Sequence, residues 1–89
     1  MEKYRKHYKP MGENIRIAII PYSYGCTIKK LKEMIKVAEN DFPSVNKEEI
    51  EIVQQGGNYC KGMYAIEFII PSKTKIPEEY IEADMNPTI

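Results

Sequence analysis

The stretch IRIAIIPYSYGCTIKKLKEMIKVA, residues 15–38, decides the predicted fold of this 89-residue chain. In its first part, isoleucines alternate with Arg16 and Ala18, and the alternation ends at Pro21. A period of two is typical of a β-strand with one buried side, and proline is found at strand ends because it cannot donate to the ladder. We therefore predict a first strand from Ile15 to about Tyr22.

The second part of this stretch has the pattern of an amphipathic helix. Thr27 belongs to the residue types favoured at a helix N-cap. The apolar residues that follow recur at helical spacing, at Ile28, Leu31, Met34, Ile35 and Ala38. Pro43 disfavours helical geometry at the residue before it and lacks an N–H donor. The helix is therefore expected to end near Asn40.

Further elements are predicted towards the C-terminus. Two apolar-rich segments, Glu49–Gln55 and Lys61–Ile70, are separated by a glycine-containing turn, which is the pattern of a β-hairpin. Pro77, followed by two glutamates, favours the first turn of a short helix that reaches about Asp84.

The domain organisation follows from these elements and from the chain length. Residues 1–14 show neither helical nor strand periodicity in their apolar positions, so they are predicted to form a basic, flexible arm. Residues 15–85 are expected to form a single α+β domain, because 89 residues suffice for one modest core. Residues 86–89 are expected to be a frayed tail.

The predicted fold class is α+β, with a three-stranded mixed sheet built in the order β-α-β-β. The helix is long enough to carry the chain back along the first strand, so the second strand runs parallel to the first. The third strand is the most continuously apolar, which favours a central position. We predict the strand order 1-3-2, with one long helix on one face and a short C-terminal helix.

Period two also assigns side chains to the two faces of this sheet. The face towards the helix is predicted to include Ile52, packed against Ile35 and other apolar helix residues. The opposite face carries Ala18, Ile20, Val53, Met63 and Ile69, and one helix cannot cover both faces. These five residues are expected to be buried by the C-terminal segment (Ile76, Tyr80, Ile81 and Met85), by a second copy of the chain or by a protein partner.

Composition and charge exclude several classes of protein. The 13 Lys and Arg residues balance 13 Asp and Glu residues, so there is no general attraction to nucleic acid or to acidic membranes. No apolar run approaches the ~18 residues of a membrane span, and none follows the basic start as in a signal peptide. We therefore expect a small cytoplasmic protein that does not associate with membranes.

The charge is nevertheless distributed unevenly along the chain. Residues 1–36 carry nine Lys or Arg and three Asp or Glu, whereas residues 37–89 carry four and ten. Aromatic side chains among basic ones can stack on unpaired bases while the cations follow the phosphates. One alternative hypothesis is therefore nucleic-acid binding through the lysine-rich helix and the arm residues Tyr4, Arg5, Lys6, Tyr8 and Lys9.

A second alternative is a small-ligand site at the start of the helix. The order 1-3-2 brings this loop and the turn between the second and third strands to one end of the domain, and helix N-terminal N–H groups attract anions. The residues that would bind a phosphate or a nucleotide are Gly25, Thr27, Lys29 and Lys61. The spaced glycines and the lysine of a P-loop are absent from the sequence.

Catalysis and metal binding receive little support from the sequence. The single histidine, His7, lies in the predicted arm, so no pairing of a nucleophile with a base is indicated for Cys26. One histidine and two separated cysteines do not make a zinc site. We assign no catalytic residue, metal or cofactor, and predict a non-enzymatic accessory, adaptor or inhibitor protein that acts through protein–protein contact or self-association.

Overall fold

One mixed sheet and one α-helix make up the fold in the computed structural model, which describes residues 3–22, 27–55 and 63–83. In chain order the elements are β1 (Tyr4–Met11), β2 (Asn14–Pro21), α1 (Ile28–Asp41), a short 3-10 helix (Lys47–Glu49), β3 (Glu51–Gln55), β4 (Met63–Pro71) and β5 (Ile81–Glu82). The strands lie in the order β3-β4-β2-β1-β5.

Strands β2, β4 and β3 confirm the predicted 1-3-2 arrangement. Strand β4 pairs antiparallel with both β2 and β3, so β2 and β3 run parallel to each other. Thr27 is the N-cap of α1, and its hydroxyl oxygen accepts a hydrogen bond from the N–H of Lys30 at 3.1 Å. The helix ends at Asp41, and the N–H of Phe42 donates to the carbonyl of Ala38. The α+β class, the mixed sheet and the long helix are therefore as predicted.

Strand β1 is the first correction to the predicted fold. Residues Tyr4–Met11, predicted to lie in a flexible arm, pair antiparallel with β2 along their whole length. Gly12 and Glu13 form the two-residue turn between them, and Gly12 has a φ of 67°, a left-handed value that glycine adopts without strain. Tyr4 and Tyr8 pack against the core. With β1 and β5 the sheet has five strands instead of three.

The C-terminal segment is the second correction. No short helix follows Pro77 in the described part of the chain. A single turn is closed by the N–H of Tyr80, which donates to the carbonyl of Pro77 at 3.1 Å, and Ile81 and Glu82 then pair in parallel with β1. Tyr80 is only 5% exposed. Burial of this ring and pairing with β1 stabilise an extended segment here in place of a helix; residues 84–89 lie outside the described residues.

The core lies between the sheet and α1. Its buried residues are Ile15, Ile17, Ile19, Met34, Ala38, Phe42, Ile66, Phe68, Ile70 and Tyr80. The ring of Phe42 meets the rings of Phe68 and Tyr80 edge-on, with centroids 5.7 and 5.2 Å apart. Such pairs contribute about 0.5–1.5 kcal/mol beyond their area burial. Phe42, the residue directly after α1, therefore joins the helix end to β4 and to the C-terminal segment.

Two residues predicted to be in this core lie at its margin. Ile52 of β3 is 55% exposed, and Ile35 is half-buried while its neighbour Met34 is fully buried. The buried cluster contains residues of β2 and β4 and no described residue of β3. Because β1 adds two tyrosines on the other side of β2, the core centres on β2 and β4 and leaves β3 at the edge.

A charged cluster links β1 to the end of α1 and to the C-terminal segment. The Nζ of Lys6 lies 3.0 Å from Asp41 Oδ2 and 3.1 Å from Glu79 Oε1, and the hydroxyl of Tyr80 donates to Asp41 Oδ2 at 2.8 Å. Burial disfavours the charge of Lys6, but the hydrogen bonds to both carboxylates outweigh it and raise the pKa of Lys6. Burial and the hydrogen bond to Asp41 raise the pKa of Tyr80. Lys6, Asp41, Glu79 and the hydroxyl of Tyr80 therefore form one connected polar cluster.

Candidate interaction surface

The outer face is the side of the sheet turned away from α1. Cross-strand pairing arranges its side chains in columns, one for each strand. Its members are Arg5, His7 and Lys9 of β1, Arg16, Ala18 and Ile20 of β2, Ala65, Glu67 and Ile69 of β4, Glu51 and Val53 of β3, and Ile81 of β5. Ile69 is 49% exposed and Ile81 is 64% exposed. The outer face therefore presents large apolar side chains to solvent.

The C-terminal segment does not bury this face in the described part of the chain. Ile76 and Tyr80, predicted to fold over the outer face, pack instead into the core on the helix side. Ile81 lies at the far edge of the sheet, beside His7. Met85 lies outside the described residues. The described part of the C-terminal segment therefore does not cover the outer face.

The predicted interface residues occupy the outer face in two different ways. Ala18 and Ala65 are buried, and Ala18 lies between its cross-strand neighbours His7 and Glu67, so these alanines form the floor of the face. Ile20 and Val53 are half-buried, whereas Ile69 stands in solvent. Met63 belongs to β4, but its side chain lies outside the described residues. The apolar residues of the face are therefore Ile20 and Val53 on one side of Glu67 and Ile69 on the other.

The charges of the outer face are separated by sign. Strand β1 contributes Arg5, His7 and Lys9, and Lys9 lies directly opposite Arg16. On the other half of the face, Glu51 lies directly opposite Glu67. Like charges directly opposite each other destabilise a sheet. The outer face thus has a basic half and an acidic half, with apolar residues between them.

A groove in the acidic half extends beyond the sheet. It has a volume of about 410 Å³ and is lined by Glu48 and Glu49 of the 3-10 helix together with Arg16, Glu51, Glu67, Phe68 and Ile69. Arg16 Nε lies 3.8 Å from Glu67 Oε1. Burial raises the pKa of Glu67, the charge of Arg16 opposes this, and the charge of Glu51 adds to it. Arg16 therefore balances only part of the negative charge gathered here.

The basic half of the outer face was not recognisable as part of an interface from the sequence. Arg5 and Lys9 are predicted there to contact nucleic acid, and His7 has no assigned role. Burial, with the nearby charge of Arg5, lowers the pKa of His7. The sequence does contain a signal for this half: Arg5, His7 and Lys9 alternate with Tyr4, Lys6 and Tyr8. Such alternation is the pattern of a strand with two different faces.

The five residues of the nucleic-acid hypothesis are divided between the two faces. Tyr4, Lys6 and Tyr8 face α1, where both tyrosines pack against the core and Lys6 binds two carboxylates. Arg5 and Lys9 lie on the outer face, and the guanidinium of Arg5 stands 5.4 Å from the ring centroid of Tyr22. The predicted set is therefore not one continuous surface, and nucleic-acid binding stays a hypothesis.

Two of the four residues of the predicted anion site line a second groove. It has a volume of about 430 Å³ and is lined by Lys3, Tyr4, Pro21, Tyr22, Thr27, Lys29, Lys30 and Glu33. Thr27 and Lys29 are the two predicted residues that lie in this groove. Gly25 and Lys61 lie outside the described residues. Lys3 and Lys30 are additional cations that the sequence analysis did not place there.

No group of three or more described His, Cys, Asp or Glu side chains is placed to hold a metal ion. In the described ranges, no helix has the length and apolar character needed to cross a membrane. Comparison of the chain with protein-family models, with curated proteins and with solved structures found no significant match.

Proposed function

We propose that this chain is a non-enzymatic binding protein of accessory, adaptor or inhibitor type, and that the outer face is its contact surface. The observation that carries the proposal is the exposure of Ile69 on β4, where it lies opposite Arg16 of β2 and beyond the last residue of β4 that pairs with β3. Full burial of an isoleucine side chain stabilises a protein by about 1.5–3 kcal/mol. Much of that stabilisation is available to a partner that covers Ile69.

The surroundings of Ile69 support the same proposal. Half-buried Ile20 and Val53 add apolar area to the same face on the other side of Glu67, and charged side chains of β1 and β3 border the face. Apolar patches bordered by polar residues mark contact surfaces on soluble proteins. The proposal assigns no catalytic residue and no cofactor.

The test compares two isoleucines of similar exposure on opposite sides of the sheet. Ile69→Asp places a charge on the outer face, and Ile52→Asp, with Ile52 55% exposed on the helix side, is the matched control. In extracts of the cells that make the protein, we expect the wild type and Ile52→Asp to sediment in the same assembly and Ile69→Asp to sediment as the free 10.4 kDa chain. Circular dichroism verifies folding, and equal sedimentation of both variants contradicts the proposal.

A second candidate function is anion binding in the groove at the start of α1. It is supported by Lys3, Lys29 and Lys30, which line the groove beside the helix N-terminus. Cations and free N–H groups at a helix N-terminus favour phosphate. Calorimetric titration with inorganic phosphate and common nucleotides tests it: heat that is lost in Lys29→Glu supports the site, and no heat with the wild type excludes it.

A further inference from the structure

We propose that the partner of the outer face is a second copy of this chain, in a dimer whose two-fold axis runs parallel to the strands. This inference rests on the proposed function of the outer face and identifies its partner. The observation behind it is the separation of charge across that face, where Arg5, His7 and Lys9 of β1 lie on one side and Glu51 of β3 and Glu67 of β4 lie on the other. Such a face is complementary to itself.

The direction of the axis follows from the order of the strands. In the order β3-β4-β2-β1, a two-fold axis parallel to the strands lays β1 of one copy over β3 of the other, and β2 over β4. This rotation keeps each residue at its height along the strands, so His7 of one copy lies over Glu51 of the other, with Arg5 and Lys9 two residues to either side of it. A two-fold axis perpendicular to the strands would instead lay β3 over β3 and bring like charges together. Like-charge contacts across an interface cost several kcal/mol, so the charges select the first arrangement.

The same arrangement bears on the like-charge pair within one copy. Glu51 lies opposite Glu67, which is unfavourable in the isolated sheet and is offset only in part by Arg16. In the dimer Glu51 lies on the basic side of the second copy, and Glu48 and Glu49 add to the acidic side. The chain as a whole has a net charge of zero, so two copies do not repel each other at long range.

The size of the face predicts the strength of the association. A face four strands wide and about seven residues long measures roughly 19 by 23 Å. This is roughly half of the area that each partner buries in a standard interface, which is typical of weak, reversible complexes. We therefore expect a dimer that forms at high protein concentration and dissociates on dilution or on addition of salt.

The experiment exchanges the charges of the two halves in the purified full chain. One variant carries Arg5→Glu and Lys9→Glu; the other carries Glu49→Lys and Glu51→Lys. Sedimentation equilibrium is measured for the wild type, for each variant alone and for an equimolar mixture of the variants. We expect each variant alone to associate at least about tenfold more weakly than the wild type, and the mixture to recover association because each altered face now fits the other.

The possible outcomes separate this inference from the proposed function. A wild type that stays monomeric at every concentration overturns the dimer, and the Ile69→Asp comparison in cell extracts then decides whether the face binds another protein. Association that persists in both variants indicates contact through another surface, such as the outer edge of β3, and also overturns it. Loss of association without recovery in the mixture of folded variants rejects the proposed axis. If the basic-half variant does not fold, the acidic-half variant, whose changes lie at exposed positions, is tested with the wild type.

Discussion

The two faces of the sheet differ in how their charged side chains are paired. On the helix side, Lys6 lies between two carboxylates, and the buried hydroxyl of Tyr80 donates to one of them. On the outer face, Glu51 lies opposite Glu67, and Arg16 makes a long contact to Glu67, with Nε 3.8 Å from Oε1. The helix side is arranged for the stability of one chain. The outer face keeps an arrangement that is unfavourable for one chain, which is expected of a surface that contacts another molecule.

The largest expected difference between the faces is in packing. Ile70 and Ile69 are neighbours on β4, but Ile70 is 2% exposed and Ile69 is 49% exposed. We expect Ile70→Ala to lower the free energy of unfolding by about 2–5 kcal/mol, because it leaves a cavity in the core. Ile69→Ala should lower it by about 1 kcal/mol or less. Urea unfolding of both variants measures this, and equal losses would contradict the assignment of the two faces.

The charged cluster on the helix side predicts an intermediate effect. Tyr80→Phe removes the hydroxyl that donates to Asp41 and keeps the ring that packs on Phe42. We expect a loss of about 1–2 kcal/mol in the free energy of unfolding, since a partly buried carboxylate loses one of its hydrogen bonds. Thermal unfolding at neutral pH checks this. Tyr64→Phe, which alters a half-buried tyrosine outside the cluster, is the control.

The same cluster predicts how stability depends on pH. The pKa values of both Lys6 and Tyr80 are raised in the folded chain. Above pH of about 10, the unfolded chain therefore releases protons that the folded chain retains, and stability falls as pH rises. We expect the urea midpoint of the wild type to decrease above this pH and Tyr80→Phe to show a shallower decrease. An identical pH profile for the two proteins would show that Tyr80 does not contribute.

The smallest expected effect has opposite signs for stability and for association. Glu51→Lys replaces a like-charge pair with Glu67 by an opposite-charge pair, so the free energy of unfolding should rise by about 0.2–1 kcal/mol. Self-association should weaken, because the acidic half of the face loses the negative charge of Glu51 and gains a positive one. Glu78→Lys makes the same change in net charge at an exposed position near the helix-side cluster and serves as the control. A Glu51→Lys variant that associates as strongly as the wild type would show that Glu51 does not contribute to the interface.

The elements that the sequence predicted well are those with a local signal. The alternation in β2, the helical spacing from Ile28 and the N-cap at Thr27 are each encoded by neighbouring residues. Strand β1 was not predicted, because the inward position between Tyr4 and Tyr8 is occupied by Lys6. A lysine at this position is normally expected to face solvent, so the apolar alternation of a strand is interrupted. Asp41 and Glu79, the partners of Lys6, are distant in sequence. Strand β5 could not be predicted without β1, because its only pairing is with that strand.

The candidate site was predicted in part for the same reason. Period two placed Ala18, Ile20, Val53 and Ile69 on one face, away from the helix, and the strand pairing agrees. It could not add the basic half, since Arg5, His7 and Lys9 join this face only through the pairing of β1 with β2. The division of charge along the chain was visible in the sequence. Its meaning as two halves of one surface depended on the placement of β1 beside β2.

The most direct test of the outer face as a self-complementary contact surface is methyl NMR of the purified chain over a dilution series. Isoleucines report on both sides of the sheet, with Ile20, Ile69 and Ile81 on the outer face and Ile28 and Ile52 exposed elsewhere. We expect concentration-dependent shifts of the Ile20 and Ile69 methyl groups, reversed by salt, a smaller shift of Ile81, which lies on β5 at the border of the contact, and constant shifts of Ile28 and Ile52. Constant shifts for all five, or shifts confined to Ile28 and Ile52, would contradict self-association through the outer face.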